Sequence, residues 1–182
     1  MRIITGKFKG RTLQTVPDRS VRPATDRVKG AIFNVLQNRL RIIDALVLDL
    51  FAGSGSLGFE ALSRGAAHAV FVESQRKVLS TIETNAAVLG CLDSCDIIDA
   101  DALSFIQQSR RPFDLIFADP PYAYQNTTGI PQAVFERGLL RTGGFLIIEH
   151  AKEAMFGPSE LYKVAVQKEF GNTRVSFFTS PT

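Results

Sequence analysis

The sequence predicts an open α/β sheet, mostly parallel, that ends in an antiparallel hairpin. Three observations carry this. From residue 45 onward, short apolar runs alternate with amphipathic stretches, and buried strands joined by helices give a parallel sheet covered on both faces. One of the apolar runs, Val47-Leu48-Asp49-Leu50, opens into Gly53-Ser54-Gly55-Ser56-Leu57-Gly58, a glycine loop between strand and helix of the kind that holds a ligand. The tail breaks the alternation: Leu161–Phe170 and Arg174–Thr179 are both extended and meet at Gly171-Asn172, which reads as a hairpin.

Each element follows in chain order. Residues 1–16 alternate loosely around Gly6 and Gly10, as a small β-hairpin would. Val16–Pro23 is a loop bounded by prolines. Thr25 or Asp26 can cap a helix over about 26–40, with Val28, Ile32, Val35, Leu36 and Leu40 at helical spacing. Strands are expected at Ala45–Leu50, Ala69–Glu73, Asp96–Ala100, Asp114–Ala118 and Phe145–Glu149. Helices fit between them near 56–64, 75–89, 101–109 and 131–139.

The 182 residues and 45% hydrophobic content suit one domain with a substantial core. No apolar run is long enough to span a bilayer, and Met1–Lys7 lacks the apolar segment of a signal peptide, so a cytoplasmic protein is expected. Cys91 and Cys95 stand without companion cysteines, and His68 and His150 are not at finger spacing. Two reduced, partly buried thiols near a helix end are therefore expected, with no metal site. Charge is uneven. Residues 1–41 hold ten Lys or Arg against Asp18 and Asp26, a net +8, while the whole chain carries +3. A basic extension (1–41) on an acidic domain (42–182) is the footprint of a protein that meets polyphosphate.

The glycine loop formally fits a dinucleotide fingerprint, but Asp49 sits just ahead of it and would repel a pyrophosphate. S-adenosylmethionine has no phosphate and carries an ammonium and a sulfonium, so a carboxylate there suits it. Glu73, closing the second strand, can accept both ribose hydroxyls. Asp101, beyond the third, can bind the adenine amino group or simply cap a helix. The expected cofactor set is Asp49, Phe51, Gly53, Ser54, Gly55, Glu73, Asp101 and Ala102. Asp119-Pro120-Pro121-Tyr122 follows the strand Phe113–Ala118. An exocyclic amine on a base is a poor nucleophile because its lone pair is delocalised. Asp119 and the Pro120 carbonyl can each accept one of its N–H groups, with the carbonyl fixed by Pro121. Tyr122 offers a stacking face. The two motifs together read as an S-adenosylmethionine-dependent amino-methyltransferase.

The chain also resembles a known family, the bacterial 16S rRNA guanine-N2 methyltransferases, or RsmD-like proteins. The likeness rests on Met1–Gly6 with Gly10–Leu13, Arg22–Arg27 with Ile32–Leu36, Leu48–Phe59, Asp119–Tyr122 and Phe170–Thr173. It implies the class I (Rossmann-like) methyltransferase sheet, S-adenosylmethionine as cofactor, and one guanine of small-subunit rRNA as substrate, within a small-subunit particle and acted on by a monomer. The basic extension then docks RNA through Arg11, Arg22, Arg27 and Lys29. One departure is Lys29-Gly30, where the family commonly has a basic-acidic pair; Gly30 should loosen the helix by about 0.5–1 kcal/mol relative to Ala. Alternatives are an adenine-N6 methyltransferase on DNA or RNA, a protein glutamine methyltransferase (disfavoured by Asp119, since that branch starts the turn with Asn), and a non-catalytic RNA-binding or assembly protein on the same fold.

Overall fold

The computed structural model describes residues 1–15 and 26–181. Its elements are α1 (Asp26–Leu36), β1 (Leu46–Leu50), α2 (Ser56–Ser63), β2 (His68–Glu73), α3 (Arg76–Leu89), β3 (Cys95–Asp99), α4 (Ala102–Gln108), β4 (Phe113–Ala118), α5 (Ile130–Glu136), β5 (Leu140–Ala151), β6 (Lys163–Phe170) and β7 (Thr173–Thr179). They form a seven-stranded sheet in the order β3-β2-β1-β4-β5-β7-β6. The first five are parallel, and β7 runs antiparallel to both β5 and β6. None of the described helices is long and apolar enough to cross a membrane.

The central strands are apolar on both faces because both are covered, and the period of two sorts their side chains cleanly. Val47, Phe71, Leu115, Phe117, Ile147 and Phe177 point into one layer, closed by α1, α2 and α3 through Phe33, Leu36, Phe59, Leu62 and Ile82. Leu48, Leu50, Val72, Ile116, Ile148 and Phe178 point the other way, onto Ile106 of α4 and Val134 of α5. The chain goes outward from β1 to β2 and β3, then returns to β4 on the other side of β1. Strand order reverses there, and the carboxyl ends of β1 and β4 diverge into a crevice.

The basic extension is part of this core. Ile3 and Leu13 are buried beside Phe33 and Phe59. The expected hairpin is short: an antiparallel bridge pairs Arg2 with Thr12, and Ile3 N–H donates to the Arg11 carbonyl and Leu13 N–H to the Met1 carbonyl, both at 2.9 Å. The helix α2 fixes it further: Glu60 accepts from the amides of Ile4 (2.8 Å) and Thr5 (3.1 Å), and Ser63 Oγ donates to the Thr5 carbonyl (2.6 Å). Gly6, at φ +89°, lies so close to the Ser63 carbonyl that any Cβ would collide with it. The helix α1 stops at Leu36, short of the expected residue 40. Cys91 is buried and Cys95 half-buried after α3, both as free thiols.

Candidate functional site

A cavity of about 210 Å³ opens at the carboxyl ends of the central strands. Its walls bring together ten of the residues expected from sequence: Asp49, Phe51, Gly53, Ser54, Glu73, Asp101, Asp119, Pro120, Pro121 and Tyr122. Gly55 and Ala102 are not on the wall. Gly55, at φ +79°, is the residue before α2, and a Cβ there would meet the Phe59 ring at 2.5 Å. Gly58 is equally confined by the Phe71 ring. These two glycines therefore let α2 sit down on β2, which shapes the loop from beneath. Ala102 has its side chain in the core at the first position of α4, where its N–H is one of the orphan donors of a helix start.

The loop itself twists through left-handed backbone at Phe51 (φ 57°), Gly53 (φ 56°) and Gly55. For Phe51, a residue with a Cβ, this is strain of the kind that gathers at functional sites. Two bonds hold the turn, from Ala52 N–H to the Val72 carbonyl (3.1 Å) and from Gly55 N–H to the Ala52 carbonyl (2.8 Å). Asn85 of α3 ties it further: its Nδ2 donates to the carbonyls of Ser54 and Gln14, both at 3.0 Å, and its Oδ1 accepts from Gln14 N–H (2.8 Å). The basic extension thus reaches the loop, and Met1 and Thr15 line the cavity.

Carboxylates dominate the polar wall. Asp49 is buried, 2% exposed, and Oδ2 accepts from Gly58 N–H at 2.9 Å. Burial pushes its pKa up to about 8; the Gly58 bond opposes this and the charge of Glu73 adds to it. Glu73 accepts three backbone amides: Gly53 on Oε2 (3.1 Å), with Ser74 (2.9 Å) and Gln75 (3.0 Å) on Oε1. A carboxylate has about four acceptor sites, so Glu73 keeps one, on Oε2, rather than the pair expected. Asp101 does cap α4, with Oδ1 accepting from Ser104 N–H (3.0 Å), and it lines the cavity as well. Asp119 is raised well above the usual carboxylate range by burial, then by Glu149, then by Asp49.

Glu149 and His150 on this wall were not expected. Ala118 pairs with Ile148 across β4 and β5, so Glu149 follows Asp119 in register at the next strand end. The sequence held the signal, since Glu149 ended a buried strand as Glu73 did. His150 is buried, with Nε2 2.8 Å from Ser176 Oγ and Nδ1 2.8 Å from the Ala151 carbonyl; burial lowers its pKa, so it is a neutral, fixed wall.

The RNA-docking expectation divides. Arg11 and Arg27 are exposed. Arg22 lies outside the described residues. Lys29 must be corrected: it is fully buried, and Nζ donates to the Arg2 carbonyl (2.6 Å) and Ser56 Oγ (3.0 Å), with Glu60 Oε2 at 3.9 Å. It cannot reach a phosphate. Its spacing to Ile32, Phe33 and Leu36 places it on the buried face of α1, and that was readable beforehand.

The sheet order and the glycine loop at the switch point define the fold of the class I S-adenosylmethionine-dependent methyltransferases. The family described as Conserved hypothetical protein 95 matches residues 1–179, and the chain belongs to it, the RsmD-like family its sequence resembles. YlbH of Bacillus subtilis is 36% identical over 182 residues, 98% of each chain. Ribosomal RNA small subunit methyltransferase D of Haemophilus influenzae is 32% identical over 174 residues, 94% of this chain and 89% of that one. The solved Escherichia coli protein yhhF superposes with a TM-score of 0.86 at 32% identity, covering 99% of this chain and 97% of that one.

Proposed function

We propose that the chain methylates the exocyclic N2 amine of one guanine in 16S rRNA, using S-adenosylmethionine. The observation that carries this is that Asp119-Pro120-Pro121-Tyr122 and the glycine loop share one cavity wall. The cavity fits the cofactor: burial and neighbouring carboxylates hold Asp49 and Asp119 toward their protonated forms, and a ligand bearing an ammonium and a sulfonium would favour their charged forms. Glu73 Oε2 takes one ribose hydroxyl, Asp101 accepts the adenine amino group, and the Ala102 N–H stands ready beside it. When bound, the cofactor supplies an electrophilic methyl group.

The residues of the chain do the rest. Tyr122, 61% exposed, stacks the target base at the mouth. Asp119 and the Pro120 carbonyl accept the two N–H groups of the amine, turning its lone pair toward the methyl group, and orientation supplies most of the acceleration. A guanine in a structured RNA must be turned out of its helix to reach this turn. Residues 1–41 act as the docking extension for residues 42–182, through Arg11, Arg22 and Arg27, on a monomer meeting rRNA within a small-subunit particle in the cytoplasm. The relative from Haemophilus influenzae, named for small-subunit rRNA, supports this substrate. The test is transfer of labelled methyl to naked rRNA and to 30S particles from a strain lacking the enzyme, followed by nucleoside analysis. N2-methylguanosine is expected; N6-methyladenosine, or no methylated nucleoside, overturns the reading.

A further inference from the structure

Tyr124 lies two residues beyond Tyr122 yet on the other side of the turn. A bond from Tyr124 N–H to the Pro121 carbonyl, 2.8 Å, closes that turn, and Thr127 Oγ1 donates to the Tyr124 carbonyl at 3.1 Å. Tyr122 is thereby left facing out. The Tyr124 ring packs inward, edge-on to Phe51 with centroids 4.8 Å apart, against the layer that also receives Ala100 and Leu103. Its hydroxyl is buried and has no hydrogen-bond partner among the described residues. Tyr124 lines the cavity with Phe51 and Asp101, and the charge of Asp101 adds to burial in raising the phenol pKa. A buried hydroxyl without a partner weakens a fold unless something else completes it. Here the ring is well packed and the polar tip is left over, beside a carboxylate and in the wall of a ligand cavity.

Resting on the cofactor reading above, we propose that Tyr124 determines specificity for the adenine. Its Oη donates to one of the two ring nitrogens that lie on either side of the exocyclic amino group, N1 or N7, while Asp101 accepts from the amino group. The pair then reads adjacent donor and acceptor positions. A 6-oxo purine, which presents an acceptor where Asp101 needs a donor, is refused.

Calorimetry with S-adenosylhomocysteine, together with melting curves of the free protein, tests this in the wild type and in Tyr124→Phe. The variant should bind about tenfold more weakly, the worth of one hydrogen bond. Its melting temperature without ligand should equal or exceed that of the wild type, since Phe keeps the contact with Phe51 and drops the orphan hydroxyl. Of the 1-deaza and 7-deaza analogues, one should bind both proteins equally and so name the nitrogen. Unchanged affinity for the parent ligand overturns the proposal. So does a tenfold loss that persists against both analogues, or a lower melting temperature in the variant without ligand. A wild type that fails to bind S-adenosylhomocysteine at all overturns the cofactor reading instead, so the two failures are distinct.

Discussion

At the scale of single residues, the site holds its acids in an uncomfortable state. Asp49 has a pKa of about 8 in the folded chain against 3.8 for the ordinary side chain. The folded state therefore binds a proton that the unfolded state has lost between those values. The stability from Asp49 is fully present below pH 3.8 and is lost as pH rises through 8, with a slope of up to about 1.4 kcal/mol per pH unit. Asp119 shifts in the same direction. We expect Asp49→Asn to flatten the fall in melting temperature between pH 5 and pH 8; an unchanged pH profile would show that Asp49 titrates normally. The same proton leaves when a cation binds. Calorimetry of S-adenosylmethionine at pH 7, in buffers of differing ionisation enthalpy, should report proton release, and less of it in Asp49→Asn; equal release in both would show that Asp49 is not its source. For the chemistry, Asp119→Ala should lower kcat by orders of magnitude with little change in cofactor affinity, because the base amine needs Asp119 chiefly at the transition state. Single-turnover rates check this, and near-normal turnover would assign the amine to another group.

At the scale of elements, the parallel strands were legible because burial on both faces makes them nearly continuous apolar runs, and every expected strand lies within two residues of its observed start except the fifth. There the sequence reading began at Phe145, but β5 starts at Leu140 and carries Gly143 (φ 80°) and Gly144 through a register shift. Polar and glycine residues at that shift hide the strand. The N-terminal segment was the least legible, because beyond its short hairpin many of its bonds go to α2 and α3, far along the chain, and a short-range pattern does not record them. Lys29 shows this most plainly: its charge suggested a surface, while Ser56 and Glu60 make it a buried strut under the glycine loop. Lys29→Met should cost about 3 kcal/mol, in the range for breaking a buried pair, with no change in the salt dependence of RNA binding. Gly30 makes the opposite case. A Cβ there would rest 3.8 Å from Ile4 Cδ1, an ordinary contact, so Gly30→Ala should raise stability by about 0.5–1 kcal/mol. Denaturant midpoints measure both.

For the whole molecule, the net +8 of residues 1–41 is divided by the fold. Lys29 is inside, whereas Arg11 and Arg27 remain exposed. We expect Arg11→Ala combined with Arg27→Ala to weaken rRNA binding and to reduce the slope of log K against log salt by about one unit per lost contact. Melting temperature and cofactor affinity should hold. A large fall in stability at an unchanged slope would make these arginines structural.

The bond between Gln14 and Asn85 spans 71 residues. At roughly 5–20 residues per second, about 4–14 s of synthesis separate the emergence of the two. Through that interval Ile3, Leu13 and the apolar face of α1 have no α2 or α3 to lie against, and Lys29 has no Glu60. Through those seconds the apolar face of α1 and the buried side of Lys29 stand without the elements that cover them in the folded chain, at the mouth of the ribosome that made them.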